Sequence, residues 1–400
     1  MARETTDLLV IGAGPGGCAA AITAARCGAR VLVLDRANFP RPKTCGDAVS
    51  NRGARIVDEL GGITGLLTTL PHAVVEAAVA VLPDGSRVGR SFGHQPGYIV
   101  PRVELDDLLR RALEASPAEL RQGVTVRRLL VEDGRVVGAA SDDQTWRASA
   151  TIAADGPGSL AWAALGRSYE RGRSLGVAIT AYYEGIGEGT GDGTGEGTGD
   201  GAGAGPAQGV SEHYFERDLP CGYGWVFPPV GGLANVGVYQ RADHFERGGV
   251  KLQALLEGFV QRHPERFAGA RPRAEARVWS LPLAVNLGPP AGPGVLACGD
   301  AGRFIDPLSG EGIWQALYTG QLAGRHTVAA LDARGLDARA CRAYQRECER
   351  AIVWPSKLRI GVQEAMRVLV QTGAHRSALI ERALEWGYEG DALEITERTS

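Results

Sequence analysis

A glycine turn between two apolar runs near the start of the chain constrains the fold more than any other feature. Residues 7–36 read DLLVIGAGPGGCAAAITAARCGARVLVLDR, in which an apolar run, the turn, an alanine-rich helical pattern and a second apolar run follow one another. This order predicts a βαβ unit. Within it, Gly12, Gly14 and Gly17 form the pattern G-x-G-x-x-G, and Asp35 closes the second run.

The spacing of these residues indicates dinucleotide binding. In such a unit the first glycine allows a tight turn, the second lets the backbone approach a pyrophosphate, and the third lets helix and strand pack closely. The helix N-terminus supplies partial positive charge, and the acid binds the adenosine ribose hydroxyls. Because strand, helix and acid all occupy their expected places, this motif is more specific than an isolated glycine pattern.

The bulk properties argue against several other classes of function. The chain has 400 residues, which favours two interleaved domains, and a net charge of −3 with acids and bases dispersed. It lacks the basic stripe that binds nucleic acid, so we expect no nucleic-acid partner. The 7 cysteines show no C-x-x-C spacing and the histidines no metal-like spacing, so we predict neither a disulfide framework nor a metal site.

The sequence also bears on localisation. The first residues, MARETTDLLVIG, lack the basic and apolar pattern of a secretory signal, and no segment has the roughly 18 uninterrupted apolar residues of a spanning helix. We therefore expect a cytoplasmic protein. Peripheral contact with a membrane surface stays open, because residues 335–354 form an amphipathic helical pattern.

The remaining patterns predict an α/β fold with two interleaved domains. Residues 123–141 alternate in polarity around Asp133 and Gly134, which is typical of a β-hairpin. SLGVAITAYYEG and GYGWVFPPVGGLANVGVYQ read as long strands of a second layer, and the chain after residue 310 is helical in pattern. We predict a Rossmann-like nucleotide-binding domain interleaved with a mainly antiparallel β-sheet substrate domain, plus a C-terminal helical segment.

The predicted domain bounds follow from these patterns. The nucleotide-binding domain is discontinuous and covers residues 1–45, 100–170 and 280–331; the substrate domain covers 46–99 and 171–279, and the helical segment 332–400. Residues 184–209 carry glycine at nearly every second position and an acid at every fourth. Such a segment buries too little apolar surface to offset its ordering entropy, so we predict a flexible loop rather than a cation-binding repeat.

Two further segments resemble a known flavoprotein superfamily. They are ADG at residues 154–156 and VLACGDAGRFIDPLSGEGI at residues 295–313, a strand that ends at Gly299-Asp300 before a glycine-rich helix start. Together with the glycine turn, they resemble the flavoprotein hydroxylase-like superfamily, whose members bind FAD. The resemblance implies that Asp300 holds the ribityl chain and that Arg102 lies along the cofactor.

Two more segments resemble the geranylgeranyl reductase family of FAD-dependent oxidoreductases. The family signatures are K-x-C-G-[DE] after the second strand and Y-x-W-x-F-P in a strand over the substrate cavity, and PRPKTCGDAV and GYGWVFP match both. The resemblance spans residues 7 to 330. It implies that reduced FAD passes hydride to carbon–carbon double bonds of an isoprenoid or related polyene.

The resemblance also implies the residues of the site. The cofactor-binding candidates are Gly12, Gly14, Gly17, Asp35, Arg36, Cys45, Gly46, Arg102, Asp155, Gly156, Gly299, Asp300, Gly310 and Gly312. The catalytic candidates are Cys45 and Lys43, and the candidates for substrate contact are Tyr223, Trp225, Phe227 and Pro228. An isolated alkene is not polarised, so hydride addition needs a proton at the other carbon and a dry, aromatic-lined cavity.

The role of Cys45 stays open at this stage. Its basic neighbours Arg41 and Lys43 favour a thiolate, whereas a proton donor must hold its proton. The electron donor is also open among NADPH, ferredoxin and a flavin reductase, because Ala161 and Trp162 stand where the superfamily carries a basic residue.

Two alternative functions compete with the reductase. One is a monooxygenase or halogenase that acts on an apolar natural product, although the lysine that halogenases carry after their aromatic pair is missing. The other is a non-catalytic flavin electron carrier or prenyl-binding protein.

Overall fold

The computed structural model describes residues 3–166, 168, 172–187, 207–285, 288–331, 335–373 and 391–393. In chain order the strands are β1 (Arg3–Ile11), β2 (Val31–Leu34), β3 (Ala48–Val49), β4 (Ala73–Val81), β5 (Arg87–Ser91), β6 (Gly97–Ile99), β7 (Glu119–Arg121), β8 (Arg128–Glu132), β9 (Arg135–Ala140), β10 (Thr145–Ala153), β11 (Leu175–Glu184), β12 (Ala207–Tyr214), β13 (Gly222–Val226), β14 (Leu233–Arg241), β15 (Arg271–Pro272), β16 (Arg277–Pro282), β17 (Ala291–Gly292), β18 (Val295–Ala297) and β19 (Asp391–Leu393).

The α-helices follow the same chain order. They are α1 (Pro15–Arg26), α2 (Asn51–Gly61), α3 (Arg102–Glu114), α4 (Leu160–Ala164), α5 (Ala242–Gly248), α6 (Leu252–Arg262), α7 (Ile313–Leu331), α8 (Ala338–Cys348) and α9 (Trp354–Thr372). None of the helices among the described residues combines the length and the apolar character that a membrane crossing requires.

The first sheet carries the glycine turn. Its strands run in the order β17-β18-β10-β1-β2-β7, with the β8–β9 hairpin beside β10. The pairs β18–β10, β10–β1, β1–β2 and β2–β7 are parallel, so the predicted βαβ unit is present. Helix α1 packs on α7, because its buried face is built from alanines that let the two helices approach closely.

The predicted hairpin around Asp133 and Gly134 is confirmed. Strands β8 and β9 pair in antiparallel fashion, with Glu132 opposite Arg135. Asp133 has φ +49° and Gly134 has φ +73°, which is the positive backbone angle that tight hairpin turns require and that aspartate and glycine tolerate.

The second sheet is mainly antiparallel, as predicted. Its main path is β15-β11-β14-β13-β12-β4-β5-β19, and the β12–β4 pair within it is parallel. Helices α8 and α9 confirm the helical character of the C-terminal segment, whereas residues 391–393 instead form β19 against β5. Of the predicted flexible loop, residues 188–206 lie outside the described part of the chain, and its last three residues belong to β12.

The two sheets share the elements that bound the site. Helix α2, from the predicted substrate domain, contributes Val57 and Leu60 to the core that also contains α1 and α7. The exact domain bounds therefore stay a prediction. The carboxyl ends of β1, β2, β10 and β18 meet at one edge of the parallel sheet, where ligands of open α/β sheets bind.

Candidate active site

One cavity of about 1450 Å³ extends from the glycine turn to β13, the aromatic strand that carries Tyr223 and Trp225. Nearly all predicted site residues line it: Gly12, Gly14, Asp35, Arg36, Lys43, Cys45, Gly46, Arg102, Asp155, Gly156, Tyr223, Trp225, Phe227, Gly299, Asp300, Gly310 and Gly312. These residues come from five separate segments of the chain. Folding therefore brings the predicted cofactor and substrate residues to the wall of a single chamber.

Two predicted residues lie away from this wall. Gly17 packs beneath the turn, where an added Cβ would lie 1.8 Å from the Gly12 oxygen, so its role is the close packing predicted for the third glycine. Pro228 does not line the cavity and instead packs beside Gly209. Side chains alternate along a strand and Pro228 follows the inward-facing Phe227, which explains its place off this wall; its predicted substrate contact stays a prediction.

The glycine turn has the geometry of a nucleotide cradle. Gly12 has φ +99°, and an added Cβ would lie 2.4 Å from the Ala154 oxygen, so only glycine fits there. Asp35 accepts hydrogen bonds from the Ala13 and Ala37 backbone N–H groups, both at 2.7 Å. Besides its predicted ribose contact, Asp35 thus ties the turn to the end of β2.

Two half-buried carboxyl groups, of Asp155 and Asp300, fit the hydroxyl-rich part of a dinucleotide. Asp155 accepts a hydrogen bond from the Leu160 N–H at 2.8 Å, while its buried Oδ1 has no partner among the described residues. Burial raises the pKa of Asp155 and of Asp300, although the cations of Lys43 and Arg102 act to lower the latter. A buried acceptor without a partner calls for a donor, and cofactor hydroxyls would supply it.

Arg102 is held rigidly at the cavity wall. Its Nε and Nη2 atoms donate to the two oxygens of Asp106 at 2.7 and 2.8 Å, and Arg41 Nη1 lies 3.2 Å from the same carboxylate. Such bidentate pairs fix orientation as well as charge. The Arg102 backbone N–H also donates to Asp47 Oδ1 at 3.2 Å, which joins α3 to the segment that carries Cys45.

Lys43 is half-buried beside an aromatic ring. Its Nζ is 3.4 Å from the centroid of the Trp279 ring and donates to the Thr44 oxygen at 3.2 Å. Burial lowers the pKa of Lys43 to about 8, and the Arg102 charge acts in the same direction. The sequence motifs did not point to Trp279, which joins the site from β16 in the second sheet.

A single buried amide connects the cysteine segment to the aromatic strand. Asn235 Nδ2 donates to the Cys45 oxygen at 2.8 Å and to Asp47 Oδ2 at 2.9 Å. Asn235 Oδ1 accepts from Trp225 Nε1 at 3.0 Å and from Thr180 Oγ1 at 2.7 Å. Sequence reasoning missed Asn235, yet it holds the predicted catalytic and substrate segments together.

Asp47 completes this polar connection. It adopts φ +65° and also accepts a hydrogen bond from the Tyr182 hydroxyl at 2.5 Å. Burial raises the pKa of Asp47 to about 6, against the lowering effect of Tyr182 and Asn235. The acidic position of the K-x-C-G-[DE] signature therefore serves to anchor the Cys45 loop on β11 and β14.

The aromatic strand forms a continuous wall. The ring centroids of Tyr223 and Trp225 are 6.2 Å apart, and those of Trp225 and Phe227 are 6.1 Å apart. His213 packs edge-on against Tyr223 and Phe227, and burial lowers the pKa of His213 to about 3, so its ring is neutral. His213 lies opposite Trp225 in the β12–β13 pair, which is a relation that its sequence position did not reveal.

Cys45 and Trp225 face the same chamber. Cys45 is half-buried, and a Cβ added at the adjacent Gly46 would lie 3.1 Å from Phe227 and 3.8 Å from Trp225 Nε1. The Cys45 loop thus lies between the cradle and the aromatic wall. A cofactor held by the cradle and an apolar substrate held by the wall would meet at this loop.

The chain matches known proteins in both sequence and structure. Residues 5–181 match a family of FAD-binding domains. A menaquinone reductase of Mycolicibacterium smegmatis is 32% identical over 79% of this chain and 75% of its own length. Digeranylgeranylglycerophospholipid reductase 1 of Methanopyrus kandleri is 32% identical over 86% of each chain.

Solved structures share the fold at lower identity. A geranylgeranyl bacteriochlorophyll reductase-like protein from Thermoplasma acidophilum superposes with a TM-score of 0.76 at 22% identity and covers 96% of both chains. The flavin-dependent brominase Bmp2 has the same TM-score at 17% identity and covers 96% of this chain and 93% of its own. These likenesses confirm the predicted fold, and the sequence relatives confirm FAD as the cofactor. The chain is an FAD-dependent oxidoreductase that belongs to the geranylgeranyl reductase family.

Proposed function

We propose that this protein reduces isolated carbon–carbon double bonds in the isoprenoid chain of a lipid or a related polyene. The observation that carries the proposal is that Cys45, Trp225 and the residues of the FAD cradle all line one cavity. Its sequence relatives are named as reductases of menaquinone and of a digeranylgeranyl phospholipid, which supports a prenyl substrate.

The cavity is large enough for two ligands. A pocket for one small molecule usually measures about 300–1,000 Å³, and this cavity measures about 1450 Å³. The polar cradle at one end suits a dinucleotide, and the aromatic wall at the other end suits an apolar chain. Reduced FAD, once bound, supplies the hydride.

The residues of the chain supply binding, orientation and exclusion of water. Asp155, Asp300 and Lys43 would hold the hydroxyl and anionic groups of the cofactor. The rings of Tyr223 and Trp225 would grip the apolar chain and turn their π faces to the positive charge that develops on the more substituted carbon. Rigid positioning of this kind lowers the activation free energy by roughly 7–11 kcal/mol relative to the same reaction between freely diffusing partners.

Cys45 is proposed to contact the flavin edge and to take part in the reaction. It lies on the loop that Asn235 fixes between cradle and wall. An external electron donor, for which NADPH, ferredoxin and a flavin reductase are the candidates, would reduce the cofactor between turnovers.

A halogenase or monooxygenase is the second candidate, because the brominase Bmp2 shares the fold. Fold alone does not assign chemistry, since one fold carries many reactions. The K-x-C-G signature and the absence of a lysine after the aromatic pair both favour the reductase.

One experiment separates the two candidates. The purified FAD-loaded protein is reduced without oxygen and mixed with a C20 prenyl diphosphate or a prenylated quinone, with air admitted only to a parallel sample. Reoxidation of the flavin by the alkene in the absence of oxygen, with a saturated product by mass spectrometry, is the expected result. A long-lived flavin absorbance that forms only with oxygen, without alkene reduction, would instead indicate the oxygenase.

The role of Cys45 has its own test. Cys45→Ser should slow anaerobic alkene reduction by about 100-fold or more, if the thiol acts in the reaction. Cys27→Ser is the matched control, because Cys27 is exposed at the end of α1 and outside the cavity. An unchanged rate in Cys45→Ser would contradict a catalytic role.

A further inference from the structure

The loop before α7 is locked in place by its own polar groups. Asp306 Oδ1 accepts hydrogen bonds from the Leu308 and Ser309 N–H groups, both at 2.9 Å. The Asp306 N–H donates in turn to the Glu311 oxygen at 2.9 Å. Because Asp306 both accepts and donates hydrogen bonds within the loop, these bonds fix the orientation of Glu311.

The aromatic wall anchors the same loop from the side. The Tyr223 hydroxyl donates to the Ser309 oxygen, and the Tyr239 hydroxyl donates to the Pro307 oxygen at 2.8 Å. Both Ser309 and Glu311 line the cavity. Glu311 thus lies where the wall proposed to hold the substrate meets the start of α7.

Glu311 is a half-buried residue whose carboxyl group is incompletely partnered. Its Oε1 has no hydrogen-bond partner among the residues that the structure describes. Burial raises the pKa of Glu311 to about 7, and the nearby Asp306 carboxylate acts in the same direction. The Ser50 hydroxyl and the cations of Arg359 and Arg52 act to lower it. A large fraction of the protein therefore carries this carboxyl group with its proton at neutral pH.

Other groups on the aromatic side of the cavity are less suited to give up a proton. The Tyr223 hydroxyl already donates its hydrogen bond to the Ser309 oxygen, and burial raises its pKa far above neutrality. His213 is neutral, because burial lowers its pKa to about 3. Asp47 does not line the cavity, and both its oxygens already accept hydrogen bonds.

We propose that Glu311 is the proton donor of the alkene reduction, an inference that rests on the proposed function. Glu311 would give its proton to one alkene carbon, and the other carbon would receive hydride, with its two electrons, from the bound reduced cofactor. Two C–H bonds form, the π bond is lost and the flavin is left oxidised. The Glu311 carboxylate then regains a proton from solvent.

The test compares Glu311→Gln, which keeps the size but carries no acidic proton, with Glu311→Asp and the wild type. Glu275→Gln is the control, since Glu275 is exposed and away from the cavity. The infrared carbonyl band of a protonated carboxyl group is first followed against pH in the FAD-loaded protein. We expect a band that is lost as pH rises through about 7, present in wild type and Glu275→Gln and absent from Glu311→Gln.

The second measurement is a single anaerobic turnover with a C20 prenyl diphosphate. We expect Glu311→Gln to hold as much FAD as wild type and to be reduced by dithionite to the same extent. Its flavin should be reoxidised by the alkene about 100- to 10,000-fold more slowly, and Glu311→Asp should keep part of the rate. The wild-type rate should fall as pH rises through about 7, and that dependence should vanish in Glu311→Gln.

The outcomes separate this inference from the proposed function. If wild type reduces the alkene and Glu311→Gln does so equally fast, Glu311 is not the proton donor and the reductase stands. If the carbonyl band is absent from wild type at pH 6, the inference is likewise overturned. If the band is present but wild type reduces no prenyl substrate, both the reductase and the catalytic role of Glu311 fail, and Glu311 is only a protonated wall residue.

Discussion

The two ends of the cavity are built in opposite ways. The turn around Gly12 consists of residues close in sequence, and it packs so tightly against the backbone of the distant Ala154 that no side chain fits at Gly12. The aromatic wall and the Cys45 loop come from segments nearly 200 residues apart and depend on one buried amide, Asn235. The cradle is therefore intolerant of added volume, whereas the link between the wall and the Cys45 loop depends on hydrogen bonds.

The largest effect is expected from a substitution that disrupts the cradle. Gly12→Ala would place a Cβ 2.4 Å from the Ala154 oxygen at φ +99°, so the turn must open and FAD retention should be lost. The measurement is flavin content after purification, together with the thermal unfolding midpoint. Gly28→Ala is the matched control, because Gly28 has φ +89° but open space around its Cβ. It should cost only about 1–2 kcal/mol and keep FAD; equal loss of flavin in both variants would refute the steric argument.

The next largest effect is expected from a substitution that disrupts the wall and leaves the cradle unchanged. Asn235→Ala removes partners from the buried Trp225 Nε1 and the half-buried Cys45 oxygen, and should lower the free energy of unfolding by about 2–4 kcal/mol. Denaturant titration measures this loss, and the fluorescence of the tryptophans reports the indole environment. Asn38→Ala, at an exposed position, should change stability by less than about 0.5 kcal/mol. A similar small change in Asn235→Ala would mean that the amide is dispensable.

The smallest effect concerns the link between the two ends. Tyr223→Phe deletes the hydroxyl that donates to the Ser309 oxygen and should destabilise the protein by about 1 kcal/mol. It should also loosen the loop that carries Glu311, which a lower rate of single-turnover reduction with unchanged flavin content would detect. Tyr183→Phe is the control, because Tyr183 packs against Phe267 in a separate core. Identical behaviour of the two variants would argue that no such link exists.

The motifs predicted the cofactor end more completely than the substrate end. Gly12 and Asp35 could be recognised because their roles follow from spacing within one short segment, and Asp300 because its segment resembles a known superfamily. Asn235, Trp279 and His213 could not, since each is an ordinary strand residue until pairing brings it to the cavity. Pro228 lies off the cavity wall because it follows the inward-facing Phe227, and strand alternation could have indicated this.

The sequence by itself determined the dinucleotide-binding unit, because glycine spacing is a local constraint on the backbone, and its resemblance to known motifs indicated FAD, the family and the two signature segments. Only the tertiary structure decided that those segments meet, that Asn235 joins them, and that Glu311 lies beside them with a buried carboxyl oxygen. Hydrogen bonds between distant strands and the desolvation of a carboxyl group depend on what surrounds a residue in space, and sequence position alone does not specify those surroundings.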